Sequence, residues 1–246
     1  MKTIVACRNE VLGKEAVVNL KALGYDVEYR HLDIADDWSI ARFSRDVGDD
    51  YGTLDILVNN AAIAFKESDP TPFKEQSAAT INPNFFGTMR ITESLMPLLQ
   101  NSEAPRIVNV ASQAGHLRIL KSEELKNKFV NCPSIDELEN LVNDFVSSVQ
   151  DGTHEQKGWP NSNYGISKLA VIALTRILAQ RESSVNPAFL INACCPGYCD
   201  TDMTSHKGPR SAEHGARTPA MLALLSSVGP VAPTGKFFYD DAELEW

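Results

Sequence analysis

The stretch LDILVNNAA, residues 54–62, predicts a short buried β-strand that stops at a pair of asparagines. Similar apolar, β-prone segments that end near a polar or turn-forming residue recur at 27–32, 106–110 and 188–193. Helical periodicity occupies the intervals between strands, most regularly at 10–23, 36–47 and 84–99. Because strands alternate with helices, the sequence predicts an α/β fold with a doubly wound parallel sheet and helices on both faces.

Polar and turn-forming residues follow these strands. Asp33, Asn60 and Ser112 lie at or just beyond the ends of three strands, and Pro196-Gly197 follows a fourth. In open α/β sheets, ligands bind beyond the carboxyl ends of the strands. The sequence therefore predicts a ligand site where these four strand ends meet.

A tyrosine and a lysine, Tyr164 and Lys168, stand four residues apart at the start of a further helical segment. Residues with this spacing share a helix face, so the lysine ammonium is expected near the tyrosine hydroxyl. A nearby cation lowers a tyrosine pKa and prepares the hydroxyl for proton transfer. The simpler alternative is a half-buried tyrosine beside a solvated lysine.

Composition limits the classes of function. The 246 residues suit one domain, 1–246, and the net charge of −9 argues against a nucleic-acid partner. No apolar run is long enough to span a bilayer. The five cysteines show neither disulfide-type nor metal-type spacing, which predicts a cytoplasmic protein without a metal site.

Five short motifs occur together in a fixed order. They are Asn59-Asn60-Ala61-Ala62, Asn84-Phe85-Phe86-Gly87-Thr88, Val108-Asn109-Val110-Ala111-Ser112, Tyr164 with Lys168, and Asn192-Ala193-Cys194-Cys195-Pro196-Gly197. In these motifs the chain resembles the short-chain dehydrogenase/reductases, which are Rossmann-like, and most closely their monomeric carbonyl reductase branch. The resemblance implies hydride transfer between NADPH and a small-molecule carbonyl substrate.

The same resemblance implies four catalytic residues. Tyr164 would donate a proton to the carbonyl oxygen, and Ser112 would hold that oxygen by a hydrogen bond. Lys168 would lower the Tyr164 pKa and hold the nicotinamide ribose, and Asn84 would order a water that restores the proton. Two simpler roles stay open, a turn cap for Ser112 and a helix N-cap for Asn84.

The cofactor contacts implied by the resemblance divide into two groups. Arg8 would pair with the 2′-phosphate, Asp33 would contact the adenine and Asn60 would line the adenosine ribose. A solvated surface arginine is the alternative for Arg8. The nicotinamide carboxamide would meet Pro196, Gly197 and Thr201.

The substrate pocket implied by the resemblance involves Tyr198 and Met203, an aromatic ring and a flexible thioether that suit varied apolar carbonyl compounds. Cys195 would lie nearby, where an inert buried thiol and a reactive thiol are both compatible with the sequence.

A long insertion, at about 116–161, separates Ser112 from Tyr164 and is a feature of the monomeric branch. Ser134 and Glu137 are spaced as a capping box at the start of a helix. That helix carries one apolar face, formed by Ile135, Leu138, Leu141, Val142, Phe145, Val146 and Val149. We expect this face to cover the helix that dimeric relatives use as an interface, which predicts a monomer.

The family's opening unit, a strand followed by a glycine-rich loop and a helix, has no counterpart here. The first strand, 4–7, instead matches the second unit of relatives. Either the protein begins earlier, or 4–7 moves into the central place and pairs with 54–58. Two functions therefore stay open: an NADPH-dependent carbonyl reductase, or a non-catalytic Rossmann-fold binding or regulatory protein, including an inactive truncated form.

Overall fold

Strands and helices alternate along most of the chain in the computed structural model, which describes residues 1–66, 68–226 and 232–246. Within these residues the strands are β1 (Thr3–Cys7), β2 (Val27–His31), β3 (Ile56–Asn59), β4 (Arg106–Val110), β5 (Leu190–Cys195), β6 (Phe237–Tyr239) and β7 (Ala242–Leu244). The strands predicted at 4–7, 27–32, 54–58, 106–110 and 188–193 agree with β1 to β5 to within a few residues. The last strand, β7, was not predicted, because three residues after a tight turn carry too little pattern.

The α-helices of the described residues are α1 (Glu10–Ala22), α2 (Asp37–Tyr51), α3 (Phe73–Ile81), α4 (Thr88–Gln100), α5 (Glu123–Val130), α6 (Ile135–Gln150), α7 (Asn163–Ser183) and α8 (Ala212–Ala223). None of them combines the length and hydropathy that a bilayer span requires.

A sheet in the order β3-β4-β5-β6-β7 forms the centre of the molecule. Its first four strands are parallel, and β7 pairs antiparallel with β6. Ile107 of β4 belongs to the core cluster that includes α4 and α7, whereas the next residue, Val108, packs in a cluster with Leu222 of α8. Helices therefore cover both faces, as predicted, and β4 and β5 are buried along their whole length.

The strands β1 and β2 form a separate two-stranded parallel sheet, paired from Thr3 with Val27 to Cys7 with His31. Among the described residues, nothing pairs with the other edge of β1 or with the free edge of β3. Of the two alternatives that the sequence left open, the one in which 4–7 pairs with 54–58 is therefore wrong. All five residues of β1 are already in register with β2, and α1 packs on the same two strands.

One layer of helices nevertheless joins the two sheets. Ile4 of β1 and Leu57 of β3 pack against the same cluster, formed by residues of α2 and α4. No strand covers the outer edge of β3 among the described residues. As a result, the side chain of Val58 is 44% exposed, although its neighbours in β4 are buried. A free edge of this kind exposes unpaired backbone groups to solvent.

The helix predicted at 84–99 begins earlier than expected. The chain is helical from α3 through a π-helical segment, Asn82–Gly87, into α4. Pro83 lacks an N–H group and its ring crowds the preceding turn, which accounts for the local change to a wider helix. This segment places Asn84 inside a helix, where it is 1% exposed.

The segment at about 116–161 contains α5 and α6, and α6 begins where the sequence predicts a helix start. Ser134 caps α6, its Oγ accepting from the Glu137 N–H at 3.2 Å. All seven residues of the predicted apolar face pack into or against the main core cluster, four of them fully buried. Against this face lies Trp159, which is fully buried and donates its indole N–H to Asp144. The helix α6 packs on α3 and α7.

Candidate active site

A cavity of about 1350 Å³ opens at the carboxyl ends of β3, β4 and β5. It brings together nine of the predicted site residues: Asn60, Ser112, Tyr164, Lys168, Pro196, Gly197, Tyr198, Thr201 and Met203. Cys195 also lines the cavity and is 5% exposed. The ends of β3, β4 and β5 therefore meet at one site, as parallel strands in a common sheet require, whereas Asp33, which follows β2 of the other sheet, lies outside it.

Ser112 follows β4 and begins a short 3₁₀ turn, Gln113–Gly115. Its Oγ accepts a hydrogen bond from the Ala114 N–H at 3.1 Å, so the turn-cap role is present. The same hydroxyl lines the cavity and interacts with Tyr164. A hydroxyl has one proton to donate as well as lone pairs to accept, so the cap leaves Ser112 able to hold a carbonyl oxygen.

Gly115 sets the distance between that turn and α7. A Cβ atom at this position would lie 2.5 Å from the Leu169 amide nitrogen and the Lys168 carbonyl carbon. Only glycine allows this approach, which brings the Ser112 turn against the helix that carries Tyr164 and Lys168.

The start of α7 positions the tyrosine and the lysine. Ser162 caps the helix through its Oγ, which accepts from the Gly165 N–H at 3.0 Å. Lys168 lies one turn beyond Tyr164, with its Nζ 5.7 Å from the centre of the tyrosine ring. The lysine is only 3% exposed and donates to the Val110 carbonyl at 2.8 Å.

The pKa values of this pair differ from the expectation. Burial raises the pKa of Tyr164, Cys195 adds to the rise, and the interaction with Ser112 opposes it. The predicted lowering by Lys168 is therefore not found. The reason is that burial also acts on the lysine, lowering its pKa to about 8.

Asn84 binds the backbone of the loop after β3. Its Oδ1 accepts from the Ile63 N–H and its Nδ2 donates to the Ile63 carbonyl, both at 2.8 Å. The Nδ2 also donates to Ser167 Oγ on α7 at 3.1 Å. The N-cap alternative for Asn84 is wrong, because the residue lies within continuous helix and its side chain bonds elsewhere.

Arg8 and Asp33 lie outside the residues that line the cavity. Arg8 is exposed beyond β1, as the alternative of a solvated arginine describes, and no hydrogen bond or ion pair joins it to the described residues. The Asp33 Oδ1 accepts from the Ala35 N–H at 2.9 Å and stabilises the turn after β2.

The two ends of the site fit a nicotinamide dinucleotide unequally. At the nicotinamide end, Lys168 is buried with three N–H donors and a single carbonyl partner, which leaves donors for ribose hydroxyls. At the pyrophosphate end the described residues offer no glycine cradle. Gly13, the glycine nearest to the end of β1, lies in α1, and the space beside it is filled by the Tyr29 ring and Cys7.

Two lysines that the sequence did not indicate also line the cavity, Lys66 and Lys207. Each lies in a loop that follows the end of a strand, and this position was the only feature of the sequence that could have pointed to them. Such loops show no periodicity, so only the structure identifies which of their side chains face the site.

The sequence of this chain is similar to those of known reductases. The family model for short chain dehydrogenase matches residues 1–122 and 145–212. Carbonyl reductase [NADPH] 1 of Mus musculus is 42% identical over 248 residues, which cover 99% of this chain and 88% of the mouse protein. The corresponding protein of Homo sapiens is 40% identical with the same coverage.

Solved structures include two plant enzymes that are similar in both sequence and fold. Salutaridine reductase from Papaver somniferum superposes with a TM-score of 0.83 at 30% identity, covering 96% of this chain and 90% of the enzyme. Menthone neomenthol reductase from Mentha piperita gives a TM-score of 0.78 at 32% identity, with 97% and 90% coverage. With the family model matched over most of its length, the chain belongs to the short chain dehydrogenase family.

Proposed function

We propose that this chain catalyses the NADPH-dependent reduction of carbonyl compounds, namely ketones, aldehydes or quinones, to alcohols. The observation that carries this proposal is the convergence of Ser112, Tyr164 and Lys168 in one cavity. Relatives of about 40% identity are named for the same activity. The cofactor, when bound, supplies the hydride.

In this proposal Ser112 donates its hydroxyl hydrogen bond to the carbonyl oxygen, and Tyr164 transfers its phenolic proton to that oxygen. The raised pKa of Tyr164 keeps the phenol protonated at neutral pH, which is the form a general acid needs. Lys168 holds ribose hydroxyls from the floor of the cavity. Asn84 is proposed to order the water that restores the proton. Its side chain lies outside the cavity lining and holds the loop after β3 against α7 through Ile63 and Ser167.

The remaining assignments rest on position. Asn60, Pro196, Gly197 and Thr201 line the cavity and are proposed cofactor contacts, while Tyr198 and Met203 are proposed substrate contacts. Arg8 and Asp33 stay proposed contacts to the adenosine end, supported by their places after β1 and β2.

Titration of the purified chain with NADPH tests this function, with cofactor fluorescence as the readout. We expect saturable but weak binding, because the described residues lack a pyrophosphate cradle. Lys168→Met should weaken binding further, since it removes the ribose contact and keeps an apolar side chain in a buried place. Lys21→Met, an exposed lysine on α1, serves as the matched control.

A folded sample that binds no NADPH at millimolar concentration would contradict the enzyme assignment for this chain. It would instead favour a non-catalytic binding protein. The unpaired edges of β1 and β3 are the observation that supports that second function.

We infer that residues 1–246 form a single domain and that the protein is a monomer. The support is α6, which covers α7 with its apolar face and leaves most of α7 buried. Sedimentation velocity should show one species at the monomer mass of 27.0 kDa. A stable dimer or tetramer at micromolar concentration would contradict this.

We further infer a cytoplasmic location and a small-molecule carbonyl compound as the substrate. All five cysteines are free thiols, which suits a reducing compartment.

A further inference from the structure

The charge of the cavity lining differs from that of the whole chain. The chain carries 32 acidic and 23 basic residues. Among the described residues, however, those that line the cavity include three lysines, Lys66, Lys168 and Lys207, and no aspartate or glutamate. The described part of the lining is therefore positive although the whole chain is acidic, and a positive lining attracts anions.

The three lysines lie at different depths. Lys168 is buried on the floor and engaged with Val110, whereas Lys66 and Lys207 are exposed. Tyr164 and Ser112 are half-buried between these levels. The two exposed lysines therefore form a rim, beyond the atoms that would react with a carbonyl group.

The sheet order places the rim lysines on two sides of Ser112. Lys66 belongs to the loop after β3 and Lys207 to the loop after β5, and β4, which leads to Ser112, lies between these strands. The first turn of α8, at Ala212, also lines the cavity and adds the positive end of a helix.

Within the part of the chain that the structure describes, neither rim lysine has a hydrogen-bond or ion-pair partner for its ammonium group. Their backbones are held, since the Lys66 carbonyl accepts from the Asp69 N–H and the Lys207 N–H donates to the Thr204 carbonyl. Neither side chain forms an ion pair within the described residues.

Three acidic residues of the neighbouring loops, among those that the structure describes, have other partners. His206 lies between Asp200 and Asp202, with nitrogen–oxygen distances of 2.7 and 2.9 Å. The Asp69 carboxylate accepts from the Thr71 N–H. These three carboxylates lie outside the cavity lining and leave the two ammonium groups available.

We propose that Lys66 and Lys207 select carbonyl substrates that carry a carboxylate or another anionic group at the end remote from the carbonyl. This rests on the proposed function, because the carbonyl must lie at Ser112 and Tyr164 for the anion to reach the rim. Tyr198 and Met203 line the same cavity and would contact the apolar part of such a substrate.

A matched pair of substrates tests the proposal: para-formylbenzoate, which is anionic, and its methyl ester, which is neutral. The quantity measured is the ratio of kcat/KM for the acid to kcat/KM for the ester. Lys66→Gln and Lys207→Gln should each lower this ratio about two- to fivefold, as expected for exposed charge pairs, and the double variant should lower it further. Higher ionic strength should reduce the ratio of the unchanged chain.

Lys21→Gln is the control, because it removes one exposed lysine of α1, outside the cavity, and should leave the ratio unchanged. A ratio that is unaffected in the double variant would overturn the proposal. So would a rise in KM for NADPH at a constant ratio, which would assign the two lysines to the cofactor phosphates.

Loss of the proposed function would give a different result. If the unchanged chain reduced neither aldehyde, the enzyme assignment would fail, and calorimetric binding of para-formylbenzoate would then test the lysines directly. Binding that weakens in the double variant would still support the anion site, whereas equal binding would refute it.

Discussion

Replacing Tyr164 with phenylalanine should reduce the turnover of carbonyl substrates by about 10²- to 10⁴-fold while NADPH affinity and the fold are retained. The change removes only the hydroxyl that donates the proton. The ring, which lies under Lys168 Nζ, stays in place. Steady-state kinetics with an aldehyde, together with cofactor titration and circular dichroism, measure the three quantities.

Tyr25→Phe is the control for this substitution, since Tyr25 is 60% exposed and lies far from the cavity lining. Its turnover should equal that of the unchanged chain. If Tyr164→Phe kept full turnover, another group would be the acid, and the proton-transfer role of Tyr164 would have to be abandoned.

Replacing Phe145 with alanine should lower the free energy of unfolding by about 3–5 kcal/mol, the usual cost of a large aromatic cavity in a core. Phe145 is fully buried on α6 and packs against Trp159, with ring centres 5.4 Å apart. Because α6 packs on α7, which carries Tyr164 and Lys168, we expect catalytic activity to disappear at a lower urea concentration as well.

Two further variants test the same prediction if Phe145→Ala does not fold. Phe145→Leu should cost less, about 1 kcal/mol, because most of the apolar volume is kept. Asn143→Ala lies on the exposed side of the same helix and should change the unfolding free energy by less than about 0.5 kcal/mol. Equal urea midpoints for Phe145→Leu, Asn143→Ala and the unchanged chain would show that the α6 face does not contribute to stability.

Features with a regular local pattern were predictable from the sequence. The apolar residues of α6 repeat at helical spacing, and Ser134 marks the start of that helix. Together they predicted a packed helix from the sequence alone. The strand ends at Asn60, Ser112 and Pro196 were predictable because parallel strands of one sheet point their carboxyl ends to the same edge. Tyr164 and Lys168 followed from a spacing of one helical turn.

Other features depend on contacts between residues far apart in the chain. The role of Asn84 is one example, since its partners Ile63 and Ser167 come from a loop and from another helix. The sequence left a helix N-cap role open for Asn84, whereas the chain continues through a π-helical segment there. Local propensity cannot distinguish these outcomes, because the tertiary bonds decide between them.

Sequence by itself determined the order of strands and helices, the family resemblance and the identity of the candidate acid, all of which are local or follow from sheet geometry. Tertiary structure alone decided the direction in which the pKa of Tyr164 shifts, because burial, which a sequence does not show, raises that pKa. It also decided that β1 stays with β2 and leaves the edge of β3 unpaired. Both outcomes have the same physical reason. Burial and strand pairing depend on which segments, distant in sequence, come into contact, and the local pattern of residues does not determine those contacts.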